Sequence, residues 1–98
     1  MSSFGKAVKK PIPIDWFRWD IKDSQSLYDW VASFGDDMDK NCHWDGEALY
    51  VKTREGTSYG VPDGYIIIRG IKGEYYPCEP QIFKDSYDTV PQGERSVY

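Results

Sequence analysis

Two cationic side chains flank a short glycine turn in the C-terminal third of the chain, where Arg69 precedes Gly70 and Lys72 precedes Gly73. Backbone amides beside glycines, together with nearby cations, can form a concave binding site for a phosphate group. The glycine spacing is too short for a phosphate-binding loop or a dinucleotide-binding motif. A tight turn also explains the glycines, because glycine tolerates positive φ. The segment therefore predicts a turn, with a phosphate-binding pocket as the functional alternative.

A pair of aromatic residues follows this turn. Tyr75 and Tyr76 are adjacent on a predicted strand, so one ring should face the core and the other solvent or a partner. The outward ring could stack on a nucleotide base. Pro77 indicates an edge strand, through which the chain could form homo-oligomers or bind a partner. The candidate ligand- or partner-binding residues are Arg69, Lys72, Glu74, Tyr75, Tyr76 and Trp44, the last at a strand end expected to be half-buried.

The residues needed for histidine- or thiol-based catalysis are few and poorly placed. His43 is the single histidine and Cys42 precedes it, so on a strand the two side chains point to opposite faces. Together with Cys78 they lack the paired spacing of a zinc site. We therefore expect no catalytic residue, no metal and no cofactor. A carboxylate-dependent hydrolase using Asp63 or Glu74 is the enzymatic alternative.

An acidic stretch between positions 36 and 47 resembles the start of a calcium-binding loop. Asp37, Asp39 and Asn41 alternate as the first ligands of such a loop do. The sixth position would then be Cys42 instead of glycine, and the twelfth would be Ala48 instead of glutamate. The pattern therefore favours a solvated polar loop that could meet a basic partner.

Composition limits the class of protein. The 98 residues carry a formal net charge of −4, from 16 acidic and 12 basic residues, which argues against general nucleic-acid binding. Aromatic residues make up 16% of the chain, so we expect one domain with a small, ring-rich core. No apolar run approaches the ~18 residues of a membrane span, and the first 15 residues lack the apolar segment of a secretory signal. We expect a cytosolic protein with reduced cysteines.

The hydrophobic pattern predicts an α+β fold: a small antiparallel β-meander with one main helix packed on a face and a short C-terminal helix. The main helix is predicted over residues 24–34, with Asp23 or Ser24 as N-cap and Gly35 after its end. Its apolar stripe consists of Leu27, Trp30, Val31 and Phe34. Pro80 is predicted to begin the short helix, over residues 80–87.

Alternation and turn residues predict the strands and the domain limits. A proline-containing edge strand or extended arm is expected over residues 8–19, and residues 36–41 are expected to form a loop. The remaining strands are predicted at residues 42–44, 47–53, 57–61, 65–69 and 74–78. We expect a flexible start at residues 1–7, one domain over residues 8–88 and a loose tail at residues 89–98.

The C-terminal third also carries a specific order of residues, GYIIIRGIKGEYYPCEP at positions 64–80. Upstream, Lys9, Lys10 and Pro11 precede a tryptophan, and TREGT occupies positions 53–57. Over roughly residues 8–88 the chain resembles a family of small proteins widely encoded by bacteriophages and prophages. Their pattern has aspartate after the first glycine, whereas here Asp63 precedes Gly64. The resemblance implies a phage origin in a bacterial host and no catalytic mechanism.

Together these features lead to a functional expectation. We expect a small, non-catalytic phage protein of the host cytoplasm that counters host defence by binding. Its partner would be a host immune nucleotide signal, which it would sequester, or a host defence protein, which it would cover. The alternative is a structural or assembly accessory protein of the phage particle or the replication machinery.

Overall fold

The computed structural model describes residues 3–6, 13–53, 55–56 and 58–87. The α+β class is confirmed, with three helices and two small antiparallel sheets within this part of the chain. The elements are β1 Asp15–Arg18, α1 Ser24–Ala32, α2 Met38–Asn41, β2 Cys42–Trp44, β3 Leu49–Lys52, β4 Ser58–Val61, β5 Ile66–Arg69, β6 Tyr75–Cys78 and α3 Pro80–Ser86. Residues 8–12 of the edge strand or arm predicted over residues 8–19, and the tail predicted at residues 89–98, lie outside the described residues.

The first sheet has the strand order β1-β5-β6, so β5 is central, as its apolar sequence predicts. Ile67 of β5 belongs to the main core cluster, whereas Ile66 and Ile68 belong to a second cluster with Phe83 of α3. Both faces of β5 are therefore covered. The strand β6, which contains Pro77, lies at the edge of the sheet, as the proline indicates.

The second sheet is a meander with the order β2-β3-β4. Leu49 and Val51 of β3 are buried, whereas Tyr50 and Lys52 are exposed, which is the alternation expected of a strand with one solvated face. The sequence predicted one meander, and the structure divides the strands between two sheets. The turn that begins at Pro62 carries the chain from β4 to β5, which pairs with the distant β1 instead of with β4.

The main helix α1 is capped as predicted. The Asp23 carboxylate accepts hydrogen bonds from the Ser26 amide, at 3.2 Å, and from the Ser26 hydroxyl, at 2.6 Å. The helix ends at Ala32, two residues before the predicted end. There the chain tightens, because the Phe34 amide donates to the Val31 carbonyl, only three residues back.

A short helix, α2, occupies most of the segment predicted as a loop, and that prediction was wrong. The Asp37 carboxylate caps it by accepting from the Asp39 amide at 2.9 Å, and Met38 is buried in the main core. The prediction for α3 is confirmed at its start, where Pro80 occupies the first turn and needs no amide partner.

The main core lies where both sheets meet α1 and α2. It includes the buried side chains Trp19, Leu27, Val31, Met38, Cys42, Leu49, Val51, Val61, Ile67 and Tyr75. The half-buried rings of Trp44 and Trp30 pack against it, at 5.2 Å from Trp19 and 5.8 Å from Tyr75 between ring centroids. The ring-rich core expected from composition is therefore present.

Candidate binding site

The Arg69 side chain is partly exposed and is paired with other residues of the protein. Its Nε donates to Oδ2 of Asp36 at 3.1 Å, and its guanidinium lies 4.4 Å from the centre of the Phe34 ring. The Tyr75 hydroxyl donates to the same Asp36 oxygen at 2.7 Å. This network joins the loop after α1 to the first sheet, and it engages Nε and one face of the Arg69 guanidinium within the protein.

The electrostatics of this network follow from its hydrogen bonds. The Tyr75 hydroxyl, and then the Arg69 guanidinium, lower the pKa of the Asp36 carboxyl. Burial, and then the hydrogen bond to Asp36, raise the pKa of Tyr75. Sequence reasoning placed Asp36 in a solvated loop. Its position after Gly35, beyond the end of α1, gave no signal that β5 and β6, more than thirty residues away, would supply its partners.

The glycine turn uses its own amides. The Gly70 amide donates to the Glu74 carbonyl at 2.8 Å, and the Gly73 amide donates to the Gly70 carbonyl at 3.0 Å. Gly73 has φ +81°, the left-handed conformation that favours glycine. These amides are therefore engaged within the turn, and the turn interpretation accounts for both glycines. Lys72 is exposed on this turn.

Glu74 is held over the backbone of this turn. A Cβ atom at Gly70 would meet the Glu74 carboxyl group, so the absence of a side chain at Gly70 gives the carboxylate its space. Its Oε2 is buried and has no hydrogen-bond partner among the residues that the structure describes. Such an oxygen is costly to leave without a donor.

The two tyrosines of β6 point to opposite faces, as alternation predicts. Tyr75 is the core-facing residue, with 2% of its surface exposed, so its ring cannot stack on a ligand. Tyr76 is half-buried beside Ile66, Ile68 and Phe83. Burial, followed by a hydrogen bond with Tyr87, raises the pKa of Tyr76 to about 12. Tyr76 is therefore the ring of the pair that a partner can reach.

A groove runs between β6 and the β3–β4 hairpin and consists of two adjoining depressions. One encloses about 250 Å³ and is lined by Thr53, Tyr59, Tyr76 and Pro77. The other encloses about 210 Å³ and is lined by Thr53, Glu55, Glu74, Tyr75 and Tyr76. We call these residues the β6 groove. It brings together three of the predicted site residues and leaves Arg69, Lys72 and Trp44 outside its lining.

Thr53, Glu55 and Tyr59 in this groove were not among the predicted site residues. Tyr59 lies opposite Val51 in the β3–β4 pairing, so it shares the inner face of the second sheet. Its position at the edge of that sheet leaves it 50% exposed. The alternation of β4 could have predicted the face of the sheet on which Tyr59 lies. Its proximity to Tyr76 depends on how the two sheets pack together.

The thiols and the histidine do not form a catalytic pair. Burial raises the pKa of Cys42 to about 12, and burial and Glu79 raise that of Cys78, so both thiols are protonated near neutral pH. His43 is exposed and stacks on Tyr50, on the face opposite the buried Cys42. The opposite orientation of the two neighbours is confirmed. Both cysteines are free.

The two carboxylates of the enzymatic alternative, Asp63 and Glu74, lie beyond opposite ends of β5. Asp63 lies before β5, where its carboxylate accepts from the Ile21 amide at 2.8 Å, and Glu74 lies beyond the other end of that strand. The two carboxylates therefore do not form an acid–base pair. In the described part of the chain, no group of three or more His, Cys, Asp or Glu residues is arranged to hold a metal ion.

Comparison of the chain with models of protein families, with curated proteins and with solved structures found no match. Among the residues that the structure describes, no helix has the length and apolarity needed to cross a membrane.

Proposed function

We propose that this protein is a small, non-catalytic phage protein that acts in the cytoplasm of a bacterial host by covering a surface of a host defence protein. The β6 groove is the observation on which this proposal depends. It presents Tyr59 and Tyr76 beside the edge strand β4, whose first three residues are exposed. Tyrosines at the centre of a surface depression are typical of protein–protein contacts.

The geometry favours a protein partner over a nucleotide signal. Glu55 and Glu74 line the groove, and their negative charges would repel a phosphate. Of the two cations at the turn, Arg69 is already paired with Asp36. The amides of Gly70 and Gly73 are engaged within their own turn. A nucleotide would therefore meet two carboxylates where it needs donors.

Phage plating on bacteria that carry defined defence systems tests this proposal. Expression of the wild-type protein should restore phage growth against at least one system. Tyr59→Ala should reduce this effect by roughly tenfold or more, because a partly exposed ring at the centre of a contact contributes strongly to affinity. Tyr50→Ala is the matched control. Tyr50 is a 37% exposed tyrosine of the neighbouring strand that faces the opposite side of the same sheet.

Equal loss of activity in both variants would contradict a role for the groove. Calorimetry of the purified protein with cyclic and linear signalling nucleotides should detect no heat of binding. Heat with any of them would overturn the choice of a protein partner. Protection by no defence system, with the protein present in fixed stoichiometry in purified particles, would favour the assembly alternative.

A further inference from the structure

We propose that the β6 groove receives an arginine side chain carried on an exposed segment of the partner protein. This inference depends on the proposed function of the same groove and specifies the chemistry of its occupant. Two features of the groove support it: its acidic residues and its aromatic lining.

Among the described residues that line the groove, the charged ones are both acidic, which favours a cation. Glu55 and Glu74 line the same depression, in a chain whose formal net charge is −4. A guanidinium in this depression would be attracted to these two glutamates and could form charge-assisted hydrogen bonds with their carboxylates.

The aromatic lining selects arginine over lysine. Tyr76 borders both depressions, beside the carboxylates in one and beside Tyr59 and Pro77 in the other. A guanidinium is planar and weakly hydrated, so it can stack on a tyrosine while its N–H groups bond to carboxylates. A lysine ammonium is a compact, strongly hydrated charge, so it would interact with the carboxylates without stacking on the tyrosine ring.

The backbone of the glycine turn determines where Glu74 lies in the groove. Glu74 occupies the space that Gly70 leaves by having no side chain. Its backbone carbonyl accepts from the Gly70 amide at 2.8 Å, which fixes the residue at the start of β6.

A titration followed by NMR tests the proposal with a defined probe. The probe is a tripeptide of glycine, arginine and glycine, acetylated at its N-terminus and amidated at its C-terminus. The control peptide carries citrulline, which has nearly the shape of arginine and no charge. We expect the arginine peptide to shift the amide signals of residues 53, 55, 59 and 74–76 with a Kd on the order of 1 mM, because so small a ligand makes few contacts. The citrulline peptide should bind with an affinity at least about tenfold lower.

Glu74→Gln and Glu55→Gln should each lower the affinity for the arginine peptide by roughly threefold to tenfold, because each removes one charge from a partly solvated site. Glu47→Gln is the control, since it removes an exposed carboxylate beyond the opposite end of β3. The amide spectrum of each variant shows whether it is folded. Glu55→Gln keeps the test valid if Glu74→Gln unfolds, because Glu55 is exposed.

Equal shifts with both peptides, shifts outside the groove, or unchanged affinity in both groove variants would overturn the arginine assignment. This failure is distinct from failure of the proposed function. If Tyr59→Ala abolishes protection while the arginine peptide does not bind, the groove is a partner surface with a different occupant. If the arginine peptide binds while Tyr59→Ala retains protection, the groove binds cations and the proposed function is wrong.

Discussion

At the scale of single residues, the environment of Asp36 differs most from the one that its sequence position predicts. It belongs to an acidic stretch, yet its carboxylate accepts hydrogen bonds from both Arg69 and Tyr75. The residue types in this network are common on surfaces, and no spacing rule connects them. Arg69 was therefore predicted to bind a ligand because its type suits phosphate, whereas the fold uses it to anchor the loop between α1 and α2.

The substitution Asp36→Asn should lower the free energy of unfolding by about 1 kcal/mol near neutral pH, because it removes a charge-assisted, partly solvated pair. The pKa of Asp36 is lowered in the folded protein, so its contribution is present above the unfolded pKa of about 4 and is lost as the pH falls through the folded pKa. The difference between wild type and variant should therefore narrow on acidification from about pH 7 to about pH 3. Urea unfolding at both values measures it.

The control for this substitution is Glu47→Gln, which makes the same change of charge at an exposed position. It should change the free energy of unfolding by less than about 0.5 kcal/mol. A difference between wild type and Asp36→Asn that persists unchanged at low pH would show that the pair with Arg69 does not stabilise the ionised carboxylate.

At the scale of elements, local signals were sufficient for most of the fold. The stripe and cap of α1, the alternation of β3 and the proline at the start of α3 each operate within a few residues, so the sequence predicts them. The short helix α2 was missed because four residues make a single turn, which is too short to show a period. The pairing of β1 with β5 was missed because strand pairing over long distances leaves no local pattern.

The glycine turn between β5 and β6 provides a prediction at this scale. Gly73→Ala should lower the free energy of unfolding by about 1–2 kcal/mol, because alanine is strained at positive φ. An added Cβ would also lie 3.3 Å from Nη2 of Arg69. Gly70→Ala should change stability by less than about 0.5 kcal/mol, because the added Cβ meets only the movable carboxyl end of Glu74.

Thermal unfolding of the two variants checks this difference, since 1 kcal/mol corresponds to a change in Tm of about 4–8 °C for a domain of this size. If Gly70→Ala were the more destabilised variant, Glu74 would be rigidly fixed over the turn instead of displaced from it. Equal Tm values for both variants would show that the turn adapts to alanine at either position.

At the scale of the whole molecule, the candidate site comes from the meeting of two sheets. Tyr59 is contributed by the second sheet and Tyr76 by the first, and each lies on a face that its strand pattern could predict. The sequence could give these two faces separately. It could not give their contact across the groove, because that depends on how the two sheets pack around Trp19 and Tyr75 of the shared core.

The shared core also determines how the molecule should unfold. Ile67 of β5 belongs to the main core, whereas its neighbours Ile66 and Ile68 pack with Phe83 of α3. Because one strand serves both clusters, loss of either should disrupt the other. We therefore expect one cooperative transition, in which the signals of α3 and of the main core change together.

The substitution Ile67→Val tests this coupling, because it removes one methyl group from a fully buried side chain and should lower the free energy of unfolding by about 0.5–1.5 kcal/mol. The matched control is Ile82→Val on α3, where the side chain is 55% exposed and the change should be smaller than about 0.5 kcal/mol. NMR signals of Phe83 and Tyr87, followed through urea unfolding, should shift to the same lower midpoint as those of Leu27 and Val31. Retention of the wild-type midpoint by Phe83 and Tyr87 would show that α3 and its cluster unfold independently of the main core.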